Sequence, residues 1–224
     1  MPAFIEKQEG LKMLKKTIVS GFAAAALMAA PQLFAAGPTT ELKVMGVINP
    51  PDCSVSVGNN GVFDVGAYSP NILSQTNHVQ LNTVSQSMDV SCDANTHLTF
   101  QVIDNQAGSE STAAANNFGF GFNGGTNKIG YYQVGMSTPT VDGQSALVFS
   151  TSNPTSFNAS ATATFAKNGQ TMGWASANNT LSVGKAFQAM LTVTPWVAPA
   201  TMIGDVSSTV PLNGSLTLNF DFAI

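Results

Sequence analysis

Arginine is absent from this 224-residue chain, and all eight basic residues are lysines. Without a guanidinium group the chain has no planar bidentate clamp for phosphate or carboxylate. Charged residues amount to only 9% of the sequence and the formal net charge is −4, so the positive field that holds a nucleic-acid backbone is missing as well. That excludes a nucleic-acid binder. Histidine is confined to His78 and His97, and there is no Gly-x-Ser-x-Gly elbow and no clustered acid and base. The chain therefore reads as a non-enzyme, with no catalytic residues and no cofactor. Scarce charge signals disorder only when hydrophobicity is also low, and here 44% of residues are apolar. A packed core is affordable.

Glycine, asparagine, serine and threonine fill the places where charges and helix formers usually sit, which favours short strands joined by turns. Apolar residues recur at every second position in Val79 and Leu81; Met88, Val90 and Cys92; Leu98, Phe100 and Val102; and Phe118, Phe120 and Phe122. The pattern continues in Leu147 and Phe149; Ala161, Ala163 and Phe165; Phe187, Ala189, Leu191 and Val193; and Leu216, Leu218, Phe220, Phe222 and Ile224. Between these segments stand turn signals, namely Asn59-Asn60-Gly61, Asn123-Gly124-Gly125, Asp142-Gly143 and Asn168-Gly169. No stretch beyond the N-terminal region shows capped helical spacing. The expectation is an all-β sandwich or barrel in one domain.

Residues 13–36 have the three parts of a secretory signal: Met13 with Lys15 and Lys16, an apolar run from Ile18 to Ala30, and Leu33-Phe34-Ala35-Ala36. The run is too short to span a hydrocarbon core of about 30 Å, so cleavage after Ala35 or Ala36 is expected rather than anchoring. Glu6 and Glu9 make residues 1–12 an odd prefix to a basic segment, and Met13 is the expected start of translation. Loss of residues 1–35 leaves Lys43, Lys128, Lys167 and Lys185 against ten carboxylates, a net charge of −6. Cys53 and Cys92 both remain, and an even count in an exported chain predicts a disulfide. A metal site built from the same cysteines with His78 and His97 has no compact ligand spacing, so no metal is expected.

Other motifs carry little. Gly119-Phe120-Gly121-Phe122-Asn123-Gly124 matches a dinucleotide fingerprint, with Asp142 downstream, but alternating phenylalanines argue for a strand where the motif needs a helix N-terminus. Asp89 and Asp93 lack the glycine-bearing acidic loop of a calcium site. Sequons begin at Asn158, Asn178 and Asn213, at the frequency such a composition yields by chance.

Three segments in order resemble subunits of chaperone-usher pili. The first is Val44-Met45-Gly46-Val47-Ile48-Asn49-Pro50-Pro51-Asp52-Cys53; the second is Val90-Ser91-Cys92; the third runs from Phe187-Gln188-Ala189 to the alternating strand Leu216 to Ile224. With Lys128-Ile129-Gly130-Tyr131-Tyr132 in the middle, the chain is most similar to an uncharacterised fimbrial-like branch of that family. The resemblance implies an incomplete immunoglobulin-like, pilin-type sandwich over residues 47–224, preceded by an N-terminal extension, residues 36–46. That extension would be the donor strand, with Leu42 and Val44 facing a neighbour's groove and Gly46 at its end. Leu216, Leu218, Phe220, Phe222 and Ile224 would form the edge contacted by a periplasmic chaperone and then by other fimbrial subunits, with export through an outer-membrane usher to a cell-surface fimbrium. Ala223 stands where pilins usually carry an aromatic, one place after Phe222. The alternatives are a monomeric periplasmic relative, or a glycan-binding adhesin module gripping a host-surface glycan through Tyr131, Tyr132, Trp174 and Trp196.

Overall fold

The computed structural model describes residues 40–223. The expected signal segment, its cleavage site, the first residues of the extension and Ile224 lie outside them. The residues from Ile48 onward form one compact unit, and within it the chain is almost entirely antiparallel β-structure.

Seven strands carry the architecture: β1 (Cys53–Val57), β2 (Val84–Asp104), β3 (Gly130–Val141), β4 (Leu147–Thr151), β5 (Thr171–Ala177), β6 (Gly184–Val197) and β7 (Leu216–Ala223). One sheet runs β1, the first half of β2, β6 and β3. The other runs β7, the second half of β2, β5 and β4. The 21-residue β2 thus belongs to both sheets. The two apolar runs Met88–Cys92 and Leu98–Val102, which read as separate strands in the sequence, are one continuous strand because their phase never slips. Met88, Val90, Cys92, Thr96, Leu98, Phe100 and Val102 are all buried, and only the exposed stretch Asp93–Asn95 interrupts the pattern where β2 passes between sheets.

The core lies between the two sheets. Met88, Val90, Phe187 and Leu191 of the first sheet meet Leu98, Phe100, Met172 and Trp174 of the second, all of them buried. Phe100 is the hub, with ring centroids 5.3 Å from Phe165, 6.0 Å from Trp174 and 5.3 Å from Phe220. Trp174 is wholly buried, and its indole Nε1–H donates across the sandwich to the carbonyl of Gln188 at 2.9 Å, so its polar atom is satisfied. The fold is an all-β sandwich of immunoglobulin-like type with one disulfide, Cys53–Cys92. The two cysteines face each other in register on β1 and β2, and the bond occupies both sulfurs.

All four turn signals are realised with backbone in the left-handed region: Asn59, Asn60 and Gly61; Gly124 and Gly125; Asp142 and Gly143; Asn168 and Gly169. Three readings need correction. Phe118, Phe120 and Phe122 do not share one strand, because Gly121 takes a φ of +92° and turns the chain; Phe118 and Phe120 are buried and Phe122 is exposed. Of Ala161 to Phe165 the strand takes in only Ala163–Thr164, opposite Met136 and Gly135, followed by the Phe165 N–H, which donates to the Val134 carbonyl at 2.8 Å. In β4 the neighbours Val148 and Phe149 are both buried, because Val148 joins the main core while Phe149 packs on Phe157 and Ala175 in a satellite cluster. A one-turn helix, Ala200–Ile203, follows Pro199 and buries Ile203, a short apolar anchor that no periodicity announced.

Two predictions follow from these contacts. The disulfide closes a loop of 39 residues in sequence separation, so replacing Cys53 and Cys92 by Ser should cost about 4 kcal/mol in the chain-entropy account, read as a lowered denaturant midpoint. Asp142 accepts hydrogen bonds from the backbone N–H groups of Ala186 and Lys185 at 2.8 and 2.9 Å, which hold its carboxyl below its ordinary value of 3.8. A lowered folded-state pKa gives stability that is present above the unfolded value and lost as pH falls through the folded one. Asp142→Ala should therefore lower the midpoint at neutral pH, and its difference from the parent should shrink below pH 3.8.

Candidate functional site

β7 pairs with β2 from Leu216 opposite Asp104 to Ala223 opposite His97, and among the described residues its second edge has no partner. Its side chains alternate: Leu216, Leu218, Phe220 and Phe222 are half-buried, while Thr217, Asn219 and Asp221 are exposed. In a finished sandwich the inward set would be covered. Here the four pack against the core without being closed over, and β1, on the edge of the other sheet, likewise pairs only with β2 among the described residues.

Beside this edge the core is open to a groove of about 600 Å³. The segment Gly61–Phe63 with Val65 and the segment Leu212–Leu216 line it, over a floor of Val134, Phe165, Leu191 and Val193. The floor residues belong to the buried core, so the groove lies directly over the interior of the sandwich. A glycine sits at each lip. Gly61 takes a φ of +78°, and at Gly214 a side chain would run into the Tyr132 ring. The mostly apolar lining and the unpaired backbone of β7 suit an extended apolar segment.

The extension residues described, Thr40 to Gly46, and the next three, Val47 to Asn49, form no regular secondary structure. Leu42 and Val44 are 88% and 91% exposed, Met45, Val47 and Ile48 are also exposed, and Gly46 has open space around its Cα. This is an exposed apolar segment outside regular secondary structure. The β7 residues of the expected chaperone edge come together as one stripe, except Ile224, which lies outside the described residues. Phe63 and Leu212 complete the groove and were not singled out from the sequence, since each stands in irregular chain where no period marks it.

The four aromatics considered for glycan binding separate. Trp174 and Tyr132 are buried in the core. Tyr131 and Trp196 sit half-buried on the other face of neighbouring strands, stacked on each other at 5.2 Å, with His78 tilted against Tyr131 at 5.4 Å. His78 Nε2 is 2.8 Å from Ser111 Oγ, and burial lowers the pKa of the imidazole. His97 bonds through Nδ1 to the carbonyl oxygen of Ser182 at 2.9 Å. Each histidine thus ties a loop to a strand, and the two share no site.

A second polar feature escaped the sequence reading. Lys167 Nζ lies 2.9 Å from Glu110 Oε1 and 3.4 Å from Asp104 Oδ2, with all three side chains nearly or wholly buried. Asp104 Oδ1 accepts the Gln106 N–H at 2.9 Å and Oδ2 the Gly119 N–H at 3.2 Å, while Glu110 Oε2 accepts the Gly108 N–H at 2.8 Å. Burial raises the Glu110 pKa, but hydrogen bonds from Lys167 and the backbone, with the Lys167 charge, outweigh it and leave the carboxyl below its ordinary 4.5. Burial and the charge of Asp104 push the Tyr132 hydroxyl well above its usual range. The one legible signal was phase: Asp104 continues the buried even-numbered face of β2.

Residues 42–145 match the model of a family described as a protein of unknown function, DUF1120, over less than half of the chain. No curated protein matches.

The open groove predicts that the native protein binds an apolar dye such as bis-ANS. Placing a carboxylate at its rim with Phe63→Asp should weaken that fluorescence several-fold while near-ultraviolet circular dichroism is retained. Equal dye binding by the two proteins would show that the groove is closed in solution.

Proposed function

We propose that the chain is a structural, non-enzymatic subunit of a fimbria-like surface fibre that assembles by strand donation and supports cell adhesion. One observation carries this reading: an apolar groove opens onto the core beside the unpaired edge of β7, while the chain carries an exposed apolar segment around Leu42 and Val44. A donated strand would pair with the β7 backbone and set side chains into the groove, which Leu216 lines at the start of β7, while Leu218, Phe220 and Phe222 continue the half-buried stripe along the edge. Burying a Leu or Val side chain contributes about 2 kcal/mol each, on top of the ladder of backbone hydrogen bonds.

On this reading residues 36–46 of one subunit, with Leu42, Val44 and Gly46, complete the sandwich of the next. A periplasmic chaperone holds the groove before assembly, and an outer-membrane usher passes subunits to the surface. The disulfide and the scarcity of lysine suit a fibre exposed outside the cell, because a trypsin-like protease finds few places to cut. The resemblance of the segments around Gly46, Cys53, Cys92 and Leu216 to pilus subunits supports the same reading.

Periplasmic material expressed from Met13 should run as a ladder on unboiled SDS gels that collapses on boiling. Deleting residues 36–46, or replacing Leu42 and Val44 by Asp, should abolish the ladder while leaving the disulfide-bonded monomer. A monomer in every lane from the unaltered chain would reject strand donation and favour a soluble periplasmic relative.

A further inference from the structure

The buried trio of Lys167, Asp104 and Glu110 is more than a set of ion pairs in its arrangement. An amine lies within 3.4 Å of a carboxylate whose side chain is 1% exposed, and a second carboxylate lies 2.9 Å from the same nitrogen. The Phe118 ring is 6.0 Å from Lys167 Nζ, and Phe118 itself is wholly buried. Each oxygen of Asp104 already receives a backbone N–H. Two opposite charges held out of water are costly, and a neutral product relieves that cost.

We propose that Lys167 and Asp104 condense to an intramolecular amide, with Glu110 moving the protons. The Lys167 nitrogen forms a bond to Asp104 Cγ, and the bond from Cγ to Oδ2 breaks. Two of the three ammonium protons pass through Glu110 to the departing oxygen, which leaves as water; Oδ1 stays as the amide oxygen on the Gln106 N–H. One positive and one negative charge vanish together, so net charge is unchanged and no oxidant, reductant or co-reactant is needed. Between these two residues proximity replaces activation, because an amine and a carboxyl fixed by the fold react as though at very high concentration. Glu110 acts as general base and acid from its position 2.9 Å from the reacting nitrogen. Asp104 is the acceptor rather than Glu110 because it is the drier carboxylate, and the backbone N–H of Gln106 on Oδ1 stands where negative charge builds as the nitrogen adds.

The amide would join the end of β2 to the loop before β5, across 63 residues of sequence. That crosslink stands independently of strand donation and applies equally to a monomer. The intact mass of the purified, disulfide-bonded chain tests it: the expected value falls short of the sequence by one further water. After reduction, trypsin should fail to cut at Lys167, and the fragment from Val44 to Lys128 should travel joined to that from Ile129 to Lys185, with fragmentation placing the link at Asp104. Glu110→Gln should restore the full mass in a protein that still forms the Cys53–Cys92 bond. A full mass for the unaltered chain overturns the proposal. So does a lost water confined to Asp142-Gly143, a link placed at Glu110, or an undiminished link in the Glu110→Gln protein.

Discussion

An open sheet edge beside exposed core has to be covered, and most of this structure is organised around that requirement. The second sheet ends at β7, whose inward side chains pack on the core but are roofed by nothing among the described residues. Unpaired N–H and C=O groups along such an edge, next to an apolar groove, form a template for another strand. Natural sheets usually blunt such edges with lysine, proline or a bulge, and between Leu216 and Ala223 there is none of these. The edge is left open among the described residues, which is why the functional reading rests on this place rather than on any polar cluster.

At the end of β2 the fold deals with charge differently. Asp104 sits opposite Leu216, so the buried trio lies next to the start of the edge strand. Backbone amides from Gln106, Gly108 and Gly119 converge on the two carboxylates, which fixes the long loop after β2 against the sandwich. Gly119 is required there because any side chain would collide with Ser109 Oγ. A chain with so few charges has placed three of them where they organise a loop instead of solvating a surface.

Much of the fold was legible because two signals acted together. Period two located the buried faces of β2, β6 and β7, and asparagine or aspartate before glycine located the turns, since both report local backbone preference. Three things were not legible. The run from Leu98 to Val102 looked like a new strand because the exposed Asp93–Asn95 stretch imitates a turn, although the phase on either side agrees. Gly121 ended the Phe118 alternation through its backbone conformation, which a glycine permits but does not announce. Phe63, Leu212 and Lys167 gained their roles from chain segments distant in sequence, and no local pattern encodes such a meeting. For the groove, the β7 half was visible as a strand and the wall opposite was not.

The sharing of β2 has an energetic consequence. Its first half carries β1 and β6, and its second half carries β5 and β7, so every main strand except β3 and β4 is hydrogen-bonded directly to it. Neither sheet can melt alone, because loss of either takes half of β2 from the other and opens the core around Phe100 and Trp174. The two layers of the sandwich therefore form one cooperative unit, and local opening is confined to the periphery.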